Sequence, residues 1–449
     1  LVEAATPERP NIIYVLADDL GYGDLSCYGQ QQLRTPQLDR MAQEGMRFER
    51  HYAGSTVCAP SRCVLMTGRH TGHATVRGNG PAQLTERDIC FPQLLQKAGY
   101  RTGCFGKWGI GNPPPLDDPN RHGFDEFYGY VNMFHAHNYF PEFLVHNGRK
   151  ETLRNRLYEH WRGQRTGPRE GAGVAEVAVD YAPALIADRA LSFIREHHQQ
   201  PFFVYYALNI PHANNEAGGE PAIERNGMRV PDVGEFKSKP WPIQEQGFAT
   251  MMQAIDRDMG RILDLLQELK IDDRTLVLFS SDNGPHQEGG HRVDFFDSNG
   301  PLRGKKRDLY EGGVRVPMIA RWPGVVKAGQ VARQLTGFPD IFPTVLELSG
   351  LTSDLPLDGA SLAGILTGAD NREIHDHLYW EFQEQGGKRA VVDRRWKLVE
   401  LDTDTPAKTR FELYDLEQDA AEERDVAKTH PAEVRRLQSW LRQAHTDTP

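Results

Sequence analysis

The stretch "NIIYVLADDLGYGD" (residues 11–24) is an apolar run that stops abruptly at two aspartates, with two glycines close behind. An unbroken apolar run is typical of a strand buried on both faces of a parallel sheet, and Asp and Gly are typical of the loop that follows. A helical pattern followed by an apolar strand recurs at 88–109, 184–212 and 249–284. This alternation predicts an α/β fold in which a doubly wound sheet carries helices on both faces.

Two regions depart from this alternation. Residues 111–175 are rich in Pro, Asn, His and Tyr, which predicts a long irregular insertion into a catalytic domain that we place at 8–369. Beyond residue 370, "RAVVDRRWKLVELD" and "FELYDLEQD" have the pattern of short antiparallel strands, and "PAEVRRLQSWLRQAH" that of a helix. We therefore expect residues 370–449 to form a small α+β subdomain, a short antiparallel sheet plus a helix.

The bulk composition excludes some classes of function. With 52 Lys and Arg against 62 Asp and Glu, the net charge is −10, which argues against a nucleic-acid partner. No apolar run approaches the roughly 18 residues of a membrane span. Five cysteines are too few for a disulfide scaffold, although one bridge, Cys90–Cys104, stays open. The chain begins without Met, and we expect a removed signal peptide and a periplasmic or secreted protein.

Two predicted strands end in acidic pairs. Asp18 and Asp19 follow "IIYVLA", and Asp282 and Asn283 follow "TLVLFSS". Ligands gather at the carboxyl ends of strands in open α/β sheets, and an all-oxygen set suits Ca²⁺ or Mg²⁺ better than zinc. The alternative is ordinary turn chemistry, because Asp and Asn often end strands.

Several cationic residues stand beside predicted strand ends or in glycine-rich loops. Each taken singly is typical of a solvated surface charge. Grouped beside a cation site, they fit a tetrahedral oxyanion, which needs several hydrogen-bond donors, and a histidine fits proton transfer to a leaving oxygen. With a nucleophile bound to the metal, the pattern indicates hydrolysis of a phosphate or sulfate ester. The residues are Arg62, Lys107, His212, Lys305, Lys306 and Arg307.

The segment "CAPSRCVLMTGRH" (58–70) matches the Cys-x-Pro-Ser-Arg signature of type I sulfatases, members of the alkaline phosphatase superfamily. "GKWGIG", "SSDNGPH" and "GPLRGKKRDLYEGGVRVPMIARWPG" resemble later blocks of that family in the same order. The similarity covers about 8–350 and extends more loosely over the C-terminal subdomain. It implies an alkaline-phosphatase-like mixed sheet and a sulfuric ester hydrolase.

The resemblance implies that a separate maturation enzyme oxidises Cys58 to Cα-formylglycine. In its hydrated form, one oxygen would attack sulfur and displace the alcohol. The second hydroxyl would then lose its proton and expel sulfate, which regenerates the aldehyde. The cation, Ca²⁺ rather than Mg²⁺, would be held by modified Cys58 together with Asp18, Asp19, Asp282 and Asn283.

The same resemblance implies roles for the cationic residues. Arg62 would steady the formylglycine, and Lys107 would contact both the diol and the sulfate. Lys306 would be the second sulfate-binding lysine, in preference to the adjacent Lys305. His212 would protonate or steer the leaving oxygen.

The chain departs from the family pattern at Gly109. Many sulfatases have Lys-Trp-His where this sequence has Lys-Trp-Gly, and that histidine is a candidate base for sulfate expulsion. The insertion offers His135 and His137 in "FHAHNYFP" as replacements, and we favour His137. Loop histidines without any contact to the site are the alternative.

The predicted substrate is a sulfated carbohydrate. The insertion 111–175 and the loop 285–300 are expected to line the pocket, with polar side chains that suit sugar hydroxyls. These polar side chains, together with aromatic residues that could stack on a pyranose ring, favour an exo-acting enzyme. "HAHNYFP" resembles bacterial sulfatases that act on galactose or N-acetylgalactosamine 4- or 6-sulfates. The expected substrate-binding residues are His135, His137, His286, His291 and Arg292.

Two other functions stay open. The nearest is a phosphonate or phosphate monoester hydrolase with the same formylglycine chemistry. The other is an inactive glycan-binding relative, for which Gly109 is the one hint.

Overall fold

The computed structural model describes residues 9–80, 82–110, 118–162 and 169–447. Its main sheet has eleven strands in the order β12-β2-β11-β10-β1-β9-β3-β4-β5-β6, with β13 beside β2. The strands of this sheet are β1 (Asn11–Asp18), β2 (Met46–Tyr52), β3 (Arg101–Lys107), β4 (Glu126–Tyr130), β5 (Phe143–His146), β6 (Arg149–Thr152), β9 (Phe202–Pro211), β10 (Thr275–Ser281), β11 (Arg315–Arg321), β12 (Gln330–Ala332) and β13 (Thr336–Gly337). The remaining strands are β7 (Arg156–Leu157), β8 (Ala175–Val177), β14 (Leu378–Phe382), β15 (Lys388–Val392), β16 (Trp396–Leu401) and β17 (Arg410–Asp415).

Strand β1 lies at the centre of the sheet and is buried along its whole length. It runs parallel to β10 on one side and to β9 on the other, and β3 continues the parallel block beyond β9. The antiparallel pairs β10–β11 and β4–β5 flank this block. The fold is therefore a mixed α/β sheet, as the alternation of helices and strands and the resemblance predicted.

Helices cover both faces because the side chains of β1 alternate. Ile13 and Val15 belong to an apolar cluster with α1, α5 and α6, whereas Ile12 and Tyr14 pack with α2, α3, α8 and α9 on the other face. The ten helices of the described ranges are α1 (Pro36–Glu44), α2 (Cys58–Thr67), α3 (Phe91–Lys97), α4 (Met133–Ala136), α5 (Ala182–His197), α6 (Ile243–Glu268), α7 (Glu311–Val314), α8 (Ile341–Leu348), α9 (Ala363–Thr367) and α10 (Pro431–Gln443).

The expectation of an irregular insertion at 111–175 is wrong for its described part. Strand β4 pairs in parallel with β3, and β5 and β6 extend the sheet from there. Strands β7 and β8 form a separate ribbon. Residues 111–117 and 163–168 lie outside the described residues. Short strands escaped prediction because none is longer than five residues and turn-forming residues surround them.

The C-terminal region has the predicted antiparallel sheet and helix. Strands β14 to β17 pair in sequence order, and α10 packs on β15 and β16. A buried ion-pair cluster joins this sheet to the main domain: Lys397 Nζ of β16 lies 2.8 Å from Glu311 Oε1 and 3.3 Å from Glu422 Oε1. We retain 8–369 and 370–449 as proposed domain limits.

The structure also bears on a possible disulfide bond and on membrane-spanning helices. No disulfide joins Cys90 to Cys104, so that open possibility is not realised, and Cys63 packs in the apolar cluster around α2. Among the described residues, no helix is both long enough and apolar enough to span a membrane.

Candidate active site

Four parallel strands deliver polar side chains to one edge of the sheet. Asp18 is the last residue of β1 and Lys107 the last of β3, whereas Asp282 and His212 immediately follow β10 and β9. These strands are neighbours, with Ala17 of β1 opposite the last residue of β10. The register therefore brings together side chains that are far apart in the sequence.

The acidic residues form a buried cluster at this edge. Asp18, Asp19, Asp282 and Asn283 are almost completely inaccessible to solvent. The backbone N–H of Asp19 donates to Asp282 Oδ1 at 3.0 Å, and Asn283 Nδ2 donates to Asp19 Oδ1 at 2.6 Å. Three carboxylates are thus held together away from water, which is costly unless positive charge compensates them.

The cluster has the chemistry of a site for a hard divalent cation. Asn283 Oδ1 is buried without a hydrogen-bond partner. Burial and the charge of Asp18 raise the pKa of Asp282 to about 7. Ligand atoms of Asp18, Asp19, Cys58 and His212 also lie within 4.8 Å of one another. An orphaned oxygen among crowded carboxylates fits Ca²⁺, which prefers oxygen ligands.

Cys58 stands at the start of α2, directly beside the acidic cluster. Its thiol donates to Asp18 Oδ1 across 3.6 Å. Burial raises the pKa of the Cys58 thiol, because the thiolate would be desolvated. An unmodified Cys58 is therefore a weak nucleophile at neutral pH.

Arg62 and Lys107 compensate the negative charge of the acidic cluster. Arg62 Nε and Nη2 donate to Asp282 Oδ2 at 3.0 and 2.8 Å, and Nη1 donates to the Lys107 carbonyl at 2.6 Å. Lys107 Nζ binds both oxygens of Asp18 at 2.9 and 2.7 Å. Burial alone would raise the pKa of Asp18, but the charges of Lys107 and Arg62 hold it well below its ordinary value.

Lys306 and His212 form the opposite side of the site. Lys306 Nζ lies 2.8 Å from Asp19 Oδ2, 3.0 Å from His212 Nε2 and 3.2 Å from Glu288 Oε2. The adjacent Lys305 points elsewhere, with Nζ on Gln287 Oε1 at 2.8 Å. Of the two lysines, Lys306 alone contacts the acidic cluster.

The protonation of His212 follows from its two ring nitrogens. Nδ1 lies 2.6 Å from the carbonyl oxygen of Ala213, so this nitrogen carries the proton. Nε2 then accepts from Lys306. Burial and the charge of Lys306 lower the pKa of His212 well below its ordinary value, which makes the resting imidazole neutral.

A cavity of about 880 Å³ opens above Cys58. Its volume lies within the range of small-molecule sites. His137, at the end of α4, stacks on His212 with ring centroids 4.7 Å apart, and its Nδ1 lies 3.2 Å from Glu216 Oε2. The other side chains of the wall come from distant segments. The lining residues include Cys58, Thr75, Arg77, Asn79, Phe134, His137, His212, Asn215, Lys306, Arg307, Gln383 and Glu384.

His135 and His291, expected on the substrate, lie away from this cavity. His135 Nε2 is 2.9 Å from the carbonyl oxygen of Phe143 in a buried position. His291 stacks face to face on Phe248 at 3.9 Å, with Nδ1 2.7 Å from Glu245 Oε2. Neither ring lines the cavity above Cys58, because each is held inside the protein by these contacts.

His286 and Arg292 do not line the cavity either. His286 is completely buried, with Nε2 2.9 Å from the carbonyl oxygen of Pro211, and it packs behind His212. Arg292 is exposed and pairs with Asp294 at 2.5 Å. The loop 285–300 therefore packs behind His212, and the side chain through which it contacts Lys306 is Glu288.

Gly109 adopts a backbone conformation that favours glycine over the histidine of the family pattern. Its φ of +66° lies in the left-handed region, and a Cβ there would stand 3.2 Å from both Cγ and Cε of Lys107. Lys107 is buried and paired with Asp18, so a shift of its side chain would disturb this ion pair. A residue with a side chain at 109 would disturb this lysine.

Sequence reasoning missed Glu288, Arg77, Asn79 and Glu384. Glu288 lies a few residues after the strand-end pair Asp282 and Asn283, and this position alone only weakly indicates a role in the site. The others belong to segments without any motif, and folding alone brings them to the cavity.

Comparisons with known proteins agree with this geometry. Residues 10–351 match the Sulfatase family model, and 304–447 match N-sulphoglucosamine sulphohydrolase, C-terminal. Human N-acetylgalactosamine-6-sulfatase is 35% identical over 386 residues, which cover 80% of this chain and 66% of the human protein. The chain thus spans just under two thirds of that relative. An N-acetylgalactosamine-6-O-sulfatase of Bacteroides thetaiotaomicron is 31% identical over 510 residues, covering 98% of this chain and 94% of that protein.

Solved structures share the whole architecture. Ps i-CgsB in complex with k-i-k-neocarrahexaose has a TM-score of 0.79 and 25% identity, covering 97% of this chain and 93% of that one. A structure described under the metabolism of multiple glycosaminoglycans by Bacteroides thetaiotaomicron has a TM-score of 0.76 and 28% identity, covering 97% and 99%.

Proposed function

The chain belongs to the sulfatase family, and from this premise we propose that it is a sulfuric ester hydrolase acting on a sulfated carbohydrate. The observation that carries the proposal is the position of Cys58. It stands at the floor of a cavity, against a buried acidic cluster, with Lys107 on one side and Lys306 on the other. This is the arrangement that ester hydrolysis at a tetrahedral anion requires.

Two groups complete the proposed site. Bound Ca²⁺ would screen the negative charge and polarise the nucleophile. Conversion of Cys58 to Cα-formylglycine would supply a hydrated aldehyde in place of a thiol. The proposed ligands of the ion are the side-chain oxygens of Asp18, Asp19, Asp282 and Asn283, together with residue 58.

Lys107 and Lys306 are the proposed sulfate-binding residues. Both are buried, and their ammonium groups already lie at the acidic cluster, where they can turn toward an anion above Cys58. Donors placed before the reaction stabilise developing charge without reorganisation. The guanidinium group of Arg62 does not turn toward the anion, because all three of its nitrogens are held by Asp282 and Lys107. Its proposed role is to position residue 58 and to offset charge.

His212 is the proposed group at the leaving oxygen. Its Nε2 accepts from Lys306 in the resting site, so it must gain a proton before it can donate one. A sulfate anion between Lys306 and His212 would favour the imidazolium form. The leaving alkoxide would then take the proton from Nε2.

His137 is the proposed base for sulfate expulsion, in place of the histidine absent at Gly109. It lines the cavity, and the Glu216 carboxylate holds its Nδ1, which leaves Nε2 as the acceptor.

A galactose or N-acetylgalactosamine sulfate, attacked in an exo manner at the 4- or 6-position, is the proposed substrate. Support comes from relatives named N-acetylgalactosamine-6-sulfatase. Sulfated polysaccharides lie outside cells, so we place the enzyme in the periplasm or among secreted proteins. The Cys-Ala-Pro-Ser-Arg segment would bind a formylglycine-generating enzyme as a transient partner.

The test is to co-express the chain with a formylglycine-generating enzyme, measure the mass of the peptide containing Cys58, and assay p-nitrophenyl sulfate and p-nitrophenyl phosphate in parallel. We expect a peptide in which an aldehyde oxygen replaces the thiol and one hydrogen, and turnover of the sulfate ester that Cys58→Ala abolishes. Full activity with an unmodified thiol would refute the mechanism. A phosphate rate about tenfold above the sulfate rate would favour the phosphate or phosphonate hydrolase. A folded, modified protein without turnover would favour the glycan-binding relative.

A further inference from the structure

The cavity above Cys58 has a wall that none of the proposed catalytic residues occupies. Arg77 and Asn79 come from the segment after α2, and Glu384 comes from the turn between β14 and β15 of the C-terminal sheet. The two segments lie about 300 positions apart in the sequence and meet at this wall.

Asn79 fastens this wall to the nucleophile. Its Oδ1 accepts the backbone N–H of Ala59 at 3.1 Å, and its own N–H donates to Glu384 Oε1 at 3.3 Å. One residue therefore links the peptide after residue 58 to the C-terminal turn. A group bound at Glu384 is held in a fixed position relative to the reacting centre.

Arg77 presents an unused donor at the same wall. Its side chain is 93% buried, with Nε on the Ala74 carbonyl at 2.9 Å and Nη1 on Glu381 Oε1 at 3.0 Å. Nη2 is buried without a hydrogen-bond partner. Arg77 lines the cavity, so a hydroxyl group that packs against this wall is the acceptor that Nη2 lacks within the protein.

The charges of the wall select against a second anionic group. Arg77 is neutralised by Glu381, and Arg307 is neutralised by Glu288. Glu384 adds a carboxylate to these pairs. A uronate or an additional sulfate would face this carboxylate, whereas sugar hydroxyls satisfy both a carboxylate and a spare N–H.

We propose that Arg77 and Glu384 form a specificity subsite for the hydroxyl groups of a neutral pyranose that carries the sulfate. Glu384 accepts from a ring hydroxyl, and Arg77 Nη2 donates to a neighbouring ring oxygen or hydroxyl. The inference rests on the proposed sulfatase function. It adds that the C-terminal sheet takes part in choosing the sugar.

The experiment compares a sulfated monosaccharide, galactose 6-sulfate, with p-nitrophenyl sulfate, which has no hydroxyl groups. The variants are Glu384→Gln and Arg77→Lys. Glu384→Gln keeps the size of the side chain but loses the negative charge of the acceptor. Arg77→Lys keeps the positive charge but loses the Nη2 donor. Each is expected to lower the ratio of kcat/KM for the sugar to kcat/KM for the aryl ester by about tenfold or more, mainly through KM. Glu417→Gln is the matched control, because Glu417 is an exposed carboxylate of the same subdomain away from the cavity.

The outcomes separate the two proposals. If the wild-type protein hydrolyses no sulfate ester, the proposed function fails. If the wild-type protein is active but Glu384→Gln lowers kcat/KM equally for both substrates, the proposed subsite is wrong. Turnover of a sulfated uronate as fast as the neutral sugar would also overturn it. Thermal unfolding within the range of the control variant confirms that each variant is folded.

Discussion

Placing a side chain at Gly109 is expected to destabilise the protein rather than restore a catalytic histidine. The left-handed backbone at this position costs an L-residue about 1–2 kcal/mol. The Cβ would also stand 3.2 Å from two carbons of Lys107, and crowding in a packed interior costs about 1–3 kcal/mol. Gly109→Ala should therefore lower the free energy of unfolding by about 2–5 kcal/mol. Gly109→His carries the same Cβ and should lose at least as much.

The assay is urea unfolding combined with turnover of p-nitrophenyl sulfate. Gly219→Ala is the control, since Gly219 has an ordinary φ and no atom within 4 Å of its Cβ position. We expect the control to unfold like the wild type and Gly109→His to turn over substrate more slowly, because Lys107 is displaced. A Gly109→Ala variant within about 0.5 kcal/mol of the wild type would refute the backbone argument. A faster Gly109→His enzyme would show that a histidine was simply lost.

Three further predictions concern single side chains. Lys306→Ala should lower kcat/KM about 100- to 1,000-fold, whereas Lys305→Ala should not; a loss below threefold would reassign the sulfate contact to Lys305. His137→Gln should lower kcat at saturating substrate with little change in KM, and an unchanged kcat would dismiss this base. Burial would lower the pKa of His375, but Asp340 raises it above 6.5, so this pair stabilises the fold below the unfolded pKa and loses that effect as pH rises through the folded pKa. The unfolding free energy that His375→Asn removes should thus be larger at about pH 5.5 than at about pH 9, and equal losses would contradict the assignment.

The site could be predicted from the sequence where parallel strands determined it. Asp18, Lys107 and Asp282 stand at strand ends, and the carboxyl ends of neighbouring parallel strands meet at one edge. Cys58 and the role of Arg62 came from the resemblance to the Cys-x-Pro-Ser-Arg signature, since Arg62 taken singly is typical of a surface charge. Local patterns and the topology rule sufficed only for the residues at the strand ends.

The cavity wall could not be predicted in the same way. Arg77 and Glu384 meet only after the C-terminal sheet has packed on the main domain, and neither carries a motif. For two histidines, the predicted position differs from the observed one for another reason. His135 and His291 were expected on the substrate because their segments look like pocket loops, yet both side chains are buried, one against the carbonyl oxygen of Phe143 and the other against the Glu245 carboxylate of α6.

The burial of Cys58 has a consequence for the timing of synthesis. Residues 58–62 are buried throughout, including Pro60 and Arg62 of the signature, so no enzyme can read this segment once the protein has folded. The C-terminal sheet adds the buried cation Lys397 to Glu311, which already pairs with Arg315 of the main domain, so the last strands complete this cluster. The proposed oxidation of Cys58 would therefore have to come before this segment is buried, because folding first would leave an inert thiol.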